Sequence, residues 1–427
     1  MFGFANFLLL ALFAAAVFDL IFALARGGGL RGALHGLWNT PHLLFGQQLA
    51  EWRLQLGRIL FAAGLAAYEI SVVFCNSMAR QNWAWVQGVM SPVLEWLAFL
   101  CFGAKILFGT RYTWRELLAG GALYFIARWV YFNSQNIWWI GIVVAVLAAK
   151  DVPLRHPLQV YFASGCAAMA VVLALHFAGI VAPDLTSERM GALRGTYGYG
   201  HPNTFGGLVF GLVLAYALLR AQKVRWVDCL LVFAVGVFLL VGPASRSAAL
   251  CTLALAVGLV FCRLRAGHSV PRWWPGTCAG MVGLTVSYLL PLLVIKVGPW
   301  NNDIGPAWLA KLDSLLTCRI SLTWMAYRLL DVKIAGQVFN WPTVDNSFAF
   351  ALFQFGPVVA ALLGILFAAA LWGHAKQGRR VEVCCLFAML AYAYMEVQPF
   401  HLTTNPTALL LCGAVFAQTS ARWQKIE

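Results

Sequence analysis

Apolar runs near 20 residues long recur along the whole chain, and they constrain its fold more than any other feature. They lie at 4–24, 58–76, 90–109, 116–133, 136–149, 157–181, 203–220, 226–242, 247–262, 278–297, 347–371, 381–396 and 403–420. A hydrocarbon slab about 30 Å thick needs about 20 apolar residues to be crossed by one helix. Inside it every backbone N–H and C=O must be satisfied within the segment, which leaves helices or closed barrels. Strand-like alternation is absent, which argues against an outer-membrane barrel. The chain is 61% hydrophobic and 11% charged, against about 25% charge in soluble domains. The expected fold is all-α: a polytopic transmembrane helical bundle of about 11–13 spans, forming one integral membrane domain over 1–427. The first run has no basic residue before it, which favours a retained first helix over a cleaved signal. Segment 26–57 carries Pro41, charges and Trp residues, and reads as an interfacial amphipathic stretch.

The formal charge of +14 does not point to nucleic acid, because the basic residues sit in short clusters between apolar runs. Alternate connections, from Arg26 to Lys425, hold 20 of the 30 Lys and Arg residues. The positive-inside rule makes these cytoplasmic and places the C-terminus inside. On the opposite side two connections are long, 182–202 and 298–346, and mix Arg189, Arg194, Lys311, Arg319, Arg328 and Lys333 with Asp and Glu. Chemistry is expected on that outer face. The eleven cysteines are scattered through apolar runs without metal-ligand spacing. They read as small buried side chains.

Five segments carry polar residues beside a span. RGTYGYGHPNTFGG (194–207) breaks a helix start with glycines and Pro202, and holds Arg194, His201 and Asn203. Its free N–H groups and dipole favour an anion such as a phosphate. An ordinary glycine-rich loop capped by Asn203 is the plainer reading. VGPASRSAAL (241–250) puts Arg246 in a tiny hairpin between two spans. Its planar fork suits a diphosphate, and an interfacial anchor is the alternative. LDSLLTCRISLTWMAYRLL (312–330) reads as an amphipathic helix containing Arg319, which a flat interfacial position would also explain. VDNSFAFALFQFG (344–356) places Asp345, Asn346 and Ser347 at a span mouth, as helix caps or with Asp345 as a general base. MEVQPFHLTTNPTALLL (395–411) gathers Glu396, Gln398, His401 and Asn405 around a turn. A carboxylate such as Glu396 within an apolar stretch needs a partner or a function. Asp19, Glu69, Glu95, Arg128 and Asp228 also fall near or within apolar runs. No spacing relates them, and a proton relay through Glu69 and Glu95 stands beside helix packing.

The order of these segments resembles the O-antigen ligase and polymerase superfamily of bacterial membrane glycosyltransferases. The matching elements are YGYGHPNTFGG, ASRSAAL, LDSLLTCRISL and VDNSFAFALFQFGPVV, with a later Asn405–Pro406, over about 190–410. Within it the chain is most similar to capsule and exopolysaccharide repeat-unit polymerases. The resemblance implies an undecaprenyl-diphosphate-linked oligosaccharide donor, a second lipid-linked repeat unit as acceptor, and transfer at the outer leaflet of the bacterial cytoplasmic membrane. It implies no cofactor and no obligatory metal. Partners would be membrane lipids, a flippase and a chain-length regulator. It assigns Arg246, His201 and Asp345 to catalysis, and Arg194, Arg246, Arg319, Asn203, Asn346, Glu396 and Asn405 to the diphosphate and sugars. Ligases, which transfer a finished glycan to a lipid A core, often carry a histidine where this chain has Asp345; that departure favours a polymerase. A lipid-linked sugar transporter is the rival from another class. It would line a central path with its charges and show repeated halves, and neither is evident here.

Overall fold

The computed structural model describes residues 2–25, 29–45, 51–181, 187–189, 192–265, 280 and 307–416. The apolar runs among them fold as helices, because leucine, alanine, valine and phenylalanine in unbroken series satisfy the backbone locally. In chain order these are α1 (Phe2–Ala25), α2 (Gly29–Asn39), α3 (Glu51–Cys75), α4 (Ala79–Asn82), α5 (Ser91–Phe108), α6 (Trp114–Ser134), α7 (Ile137–Ala148) and α8 (Arg155–Phe177). They continue with α9 (Pro202–Leu219), α10 (Trp226–Val241), α11 (Arg246–Leu264), α12 (Ala307–Leu315), α13 (Arg319–Leu329), α14 (Ser347–Phe350), α15 (Pro357–Lys376), α16 (Arg380–Met395) and α17 (Cys412–Val415). Two short antiparallel ladders pair β1 (His42–Leu43) with β2 (Arg111–Tyr112), and β3 (Ser187–Arg189) with β4 (Ala192–Arg194). The protein is an all-α, multi-pass membrane bundle. Among the described residues 7 helices are long and apolar enough to cross a membrane.

Several boundaries differ from the sequence expectation. Apart from residue 280, the run at 278–297 lies outside the described residues. Segment 26–57 holds a short helix, α2, but Glu51 onward already belongs to α3. The run at 347–371 is broken. After α14 the chain makes a π-turn, Ala351–Phe355, and leaves the helical conformation at Gly356 with φ +89. A Cβ on Gly356 would lie 2.2 Å from the Ile334 carbonyl oxygen, so only glycine fits there. Pro357 then starts α15 afresh. The expected helix over 312–330 is two helices, because Thr317 and Cys318 take left-handed φ values of 62° and 61°. The final run, 403–420, is described only to Phe416, as a 3₁₀ segment (Pro406–Leu411) and α17.

The chain forms two units. One comprises Met1–Phe132, Trp139–Pro183 and Ala408–Glu427. In it α3 packs on α5 and α8. Gly57 and Gly109 allow the α3–α5 approach, since a Cβ on Gly57 would stand 2.8 Å from the Gly109 carbonyl oxygen. Ser71 and Ser91 exchange hydroxyl-to-carbonyl bonds at 3.1 and 3.4 Å. The connections hold a buried charge cluster. Lys150 Nζ lies 3.4 Å from Glu116 and 3.7 Å from Asp151, and Lys105 Nζ donates to Thr110 Oγ1 at 2.6 Å. Burial pushes the Asp151 carboxyl up, but Lys150, Lys105 and the Arg111 backbone donor outweigh it and hold it below its ordinary value.

The other unit comprises Asn133–Trp138 and Asp184–Thr407. In it α11 packs on α9, α10 and α16. The outward side of α10 exposes Val227, Leu230, Phe233 and Val241, a surface suited to hydrocarbon. Gly206 lets α9 meet the start of α11: a Cβ there would lie 2.3 Å from Ser245 Oγ and 2.6 Å from Ser245 Cβ.

Candidate functional site

The ends of several elements in the second unit converge on Glu396, which stands at the C-terminal end of α16 and is 5% exposed. Its Oε1 accepts three hydrogen bonds: from Arg319 Nη2 at 2.6 Å, Ser247 Oγ at 2.8 Å and Asn203 Nδ2 at 3.0 Å. Its backbone carbonyl accepts from Ser347 Oγ at 2.5 Å. Arg319, Ser247, Asn203 and Ser347 are the first or second residues of α13, α11, α9 and α14. Charge-assisted bonds of this kind are short and strong. Burial pushes the Glu396 carboxyl above its ordinary value. The Arg319 charge and the Ser247 hydroxyl oppose that, and the Asp345 charge adds to it, which puts Asp345 within electrostatic reach.

Arg194 extends the network. Placed at the end of β4, it is buried and donates from Nη2 to Asn203 Oδ1 at 2.8 Å and to the Ala244 carbonyl at 3.2 Å. It therefore ties the glycine-rich loop to the α10–α11 hairpin. Arg319 is aimed by the turn before it. Asp313 Oδ1 accepts from the Ile320 and Ser321 N–H groups at 2.7 and 3.2 Å, and Oδ2 accepts from Ser321 Oγ at 2.8 Å. That cap, with the left-handed pair Thr317 and Cys318, orients α13. Arg319 thus also donates to the Leu316 carbonyl at 2.9 Å and to the Met395 carbonyl.

The remaining residues singled out in the sequence take distinct positions. His201, not Asn203, caps α9: its exposed ring accepts the Asn203 N–H on Nδ1 at 3.1 Å. Arg246 is exposed at the first position of α11, next to Ser247. Asn346, not Asp345, caps α14, its side chain accepting the Phe348 and Ala349 N–H groups at 3.0 Å each. Asp345 is half-buried. Asn405 is buried in the turn that follows α16. There Nδ2 donates to the Pro399 carbonyl at 3.0 Å and Oδ1 accepts from Thr407 Oγ1 at 2.5 Å, which holds the turn closed. Ser247 and Asp313 carry no site signal of their own in the sequence, and Ser347 reads there only as a helix cap. The adjacency of Ser247 to Arg246 was the available signal, but serines at helix starts are ordinary caps.

In the same turn the His401 ring centroid lies 4.1 Å from that of Trp138. Burial pushes its imidazole down to about 4. The unfolded ring, near its ordinary value of 6.5, binds a proton before the folded one does as pH falls. Stability linked to His401 is therefore complete above pH 6.5 and lost as pH drops toward 4. Melting curves between these limits should show this loss, and His401→Gln should flatten it; an unchanged pH slope would contradict the assignment.

The arrangement presents the N-terminal ends of α9, α11 and α13 with three arginines, one of them exposed, beside a half-buried carboxylate. Helix starts and guanidinium forks stabilise anions, and developing negative charge most of all. No family model, no curated protein and no solved structure matches the chain.

Proposed function

We propose that the chain is a membrane glycosyltransferase that polymerises polyprenyl-diphosphate-linked oligosaccharide repeat units at the outer leaflet of the cytoplasmic membrane. The observation that carries this reading is that Arg319 and, through Asn203, Arg194 converge on Glu396, with Arg246 exposed beside Ser247, another Glu396 partner, and Asp345 within electrostatic reach. A lipid diphosphate leaving group needs cationic and dipolar stabilisation at the edge of a span. The sugar acceptor needs a base within hydrogen-bond reach.

In this mechanism a hydroxyl of the acceptor repeat unit attacks the anomeric carbon of the donor sugar. The bond between that carbon and the diphosphate oxygen breaks, and its electron pair leaves with the lipid diphosphate. Arg246 meets that charge at the exposed end of α11. Arg194 and Arg319 hold the elements in place and add to the positive field. Asp345 takes the hydroxyl proton. Glu396 is the weaker choice of base, because its Oε1 already accepts three donors. It is assigned instead to positioning, as the anchor of the helix starts.

Asp345→Asn tests the assignment of the base. Loss of a general base lowers turnover by about 10²–10⁴-fold. The variant should fold and insert normally, since Asn346 supplies the α14 cap. An Asp345→Asn protein that polymerises at the wild-type rate would remove Asp345 from catalysis and leave His201 as the candidate.

A further inference from the structure

The helix pair that carries the Ser247–Glu396 bond meets again at its other end, and what lies there does not depend on the glycosyltransferase reading. Cys262, in the last turn of α11, and Cys384, in the second turn of α16, place their sulfurs 3.7 Å apart, one thiol donating to the other. Ser247 at the start of α11 meets Glu396 at the end of α16, so the two helices run antiparallel. The sulfur contact lies roughly 20 Å along α11 from the candidate site, at the helical rise per residue. The helices approach closely here: a Cβ on Gly258, one turn before Cys262, would stand 3.1 Å from Cys384 Sγ. Arg380 of α16 also donates to the Arg265 carbonyl just past α11, which pins the same two ends together. Cys262 is 8% exposed and Cys384 is half-buried. On the flank of α11, Phe261 and Leu264 are exposed and suited to hydrocarbon. Cys229 of α10 and Cys385 of α16, both buried, lie within electrostatic reach of Cys262 and are the rival partners.

We propose that Cys262 and Cys384 form a reversible dithiol–disulfide site that is oxidised by membrane-soluble hydroperoxides. Cys384, the more exposed of the two, reacts first, because oxidation follows access to the sulfur. Its sulfur attacks the hydroperoxide: an S–O bond forms, the O–O bond breaks, and the leaving alkoxide takes the thiol proton and departs as an alcohol. The Cys262 sulfur then attacks the sulfenic sulfur of Cys384. The S–S bond forms, the S–O bond breaks, and hydroxide leaves as water with the Cys262 proton. Two thiols and one hydroperoxide thus give one disulfide, one alcohol and one water. A disulfide holds its sulfurs about 2 Å apart, a small closure from the contact already present. The bond clamps α11 to α16 at the end opposite Ser247 and Glu396, and a reducing thiol reopens it by exchange.

Full-length protein in lipid, treated with cumene hydroperoxide and then alkylated, tests this by peptide mass mapping. The Cys262 and Cys384 peptides should appear joined, dithiothreitol should separate them, and Cys229 and Cys385 should remain open to alkylation on unfolding. A map in which Cys262 and Cys384 both stay alkylated, or in which either joins Cys229 or Cys385, overturns the site. Dimedone, which traps sulfenic acids, should mark Cys384 in Cys262→Ser and leave Cys262 unmarked in Cys384→Ser; the reverse pattern overturns the order of attack. Oxidised wild type should melt at a higher temperature than reduced protein, since the cross-link constrains the unfolded chain, and reduction should return it. An oxidised protein that melts where the reduced one does overturns the clamp. Should the serine variants not fold, the wild-type map and melting curves decide by themselves.

Discussion

Replacing Arg246 with alanine should abolish polymer while the protein remains inserted and single repeat units accumulate on the lipid diphosphate. Arg246 is exposed at the start of α11, and substitutions at such positions change stability by only about 0.5 kcal/mol. Its loss should instead be felt in the transition state, where removing one donor to a developing oxyanion costs about 10²–10³-fold in rate. Arg246→Lys should recover part of the activity, because it restores the charge but not the planar fork. Chain-length analysis of the extracted polysaccharide, read with the level of inserted protein, checks this. Normal chain lengths in Arg246→Ala would remove the diphosphate role from this residue.

Glu396→Ala should have the opposite profile, losing stability as well as turnover. The Arg319–Glu396 pair is 2.6 Å long, with both side chains almost wholly buried. Deleting one member of a buried pair costs about 3–5 kcal/mol, because the other charge is left uncompensated. Here the deletion also strands the Asn203 amide and the Ser247 hydroxyl, which donate to the same oxygen. Arg319→Ala should fall in the same range by leaving Glu396 without its cation. Thermal unfolding in detergent, with wild type and Arg246→Ala as references, measures the difference. A Glu396→Ala protein as stable as wild type would show that the network contributes little to holding the helix starts together.

The sequence was most informative where physics gives one answer. A run such as 157–181 carries few polar side chains, Gln159, Ser164 and His176 among them, and its core folds as α8, Arg155–Phe177. It was least informative where a tertiary contact overrides an apolar pattern. In the run at 347–371 the Gly356–Pro357 pair is a local break signal inside an otherwise apolar pattern, and the packing of Gly356 against the Lys333 and Ile334 carbonyls fixes the break there. The split of 312–330 depends on Asp313 reaching across the turn to cap α13, a bond between residues seven and eight apart. The site divides in the same way. Arg194, Asn203, Arg319 and Glu396 stood out as polar residues beside spans, and their hydrogen bonds join them. Ser247 and Ser347 are chemically common, and only the approach of α11 and α14 to Glu396 gives them a role. The glycines of YGYGHPNTFGG read in the sequence as breaking the helix start. Gly206 and Gly207 serve close helix packing, since a Cβ at Gly207 would lie 1.8 Å from Gln398 Oε1.

Whether the protein transfers glycans is tested most directly with the purified chain in liposomes containing a polyprenyl-diphosphate-linked repeat unit from the host membrane. The proposed reaction needs no nucleotide sugar. Mass spectrometry of the lipid extract should show a glycan of doubled length on one lipid, with free polyprenyl diphosphate released in equal amount. Asp345→Asn and Arg246→Ala proteins should yield neither. A wild-type protein that inserts and keeps its fold, yet leaves the lipid-linked repeat unit unchanged and releases no diphosphate, would contradict the account.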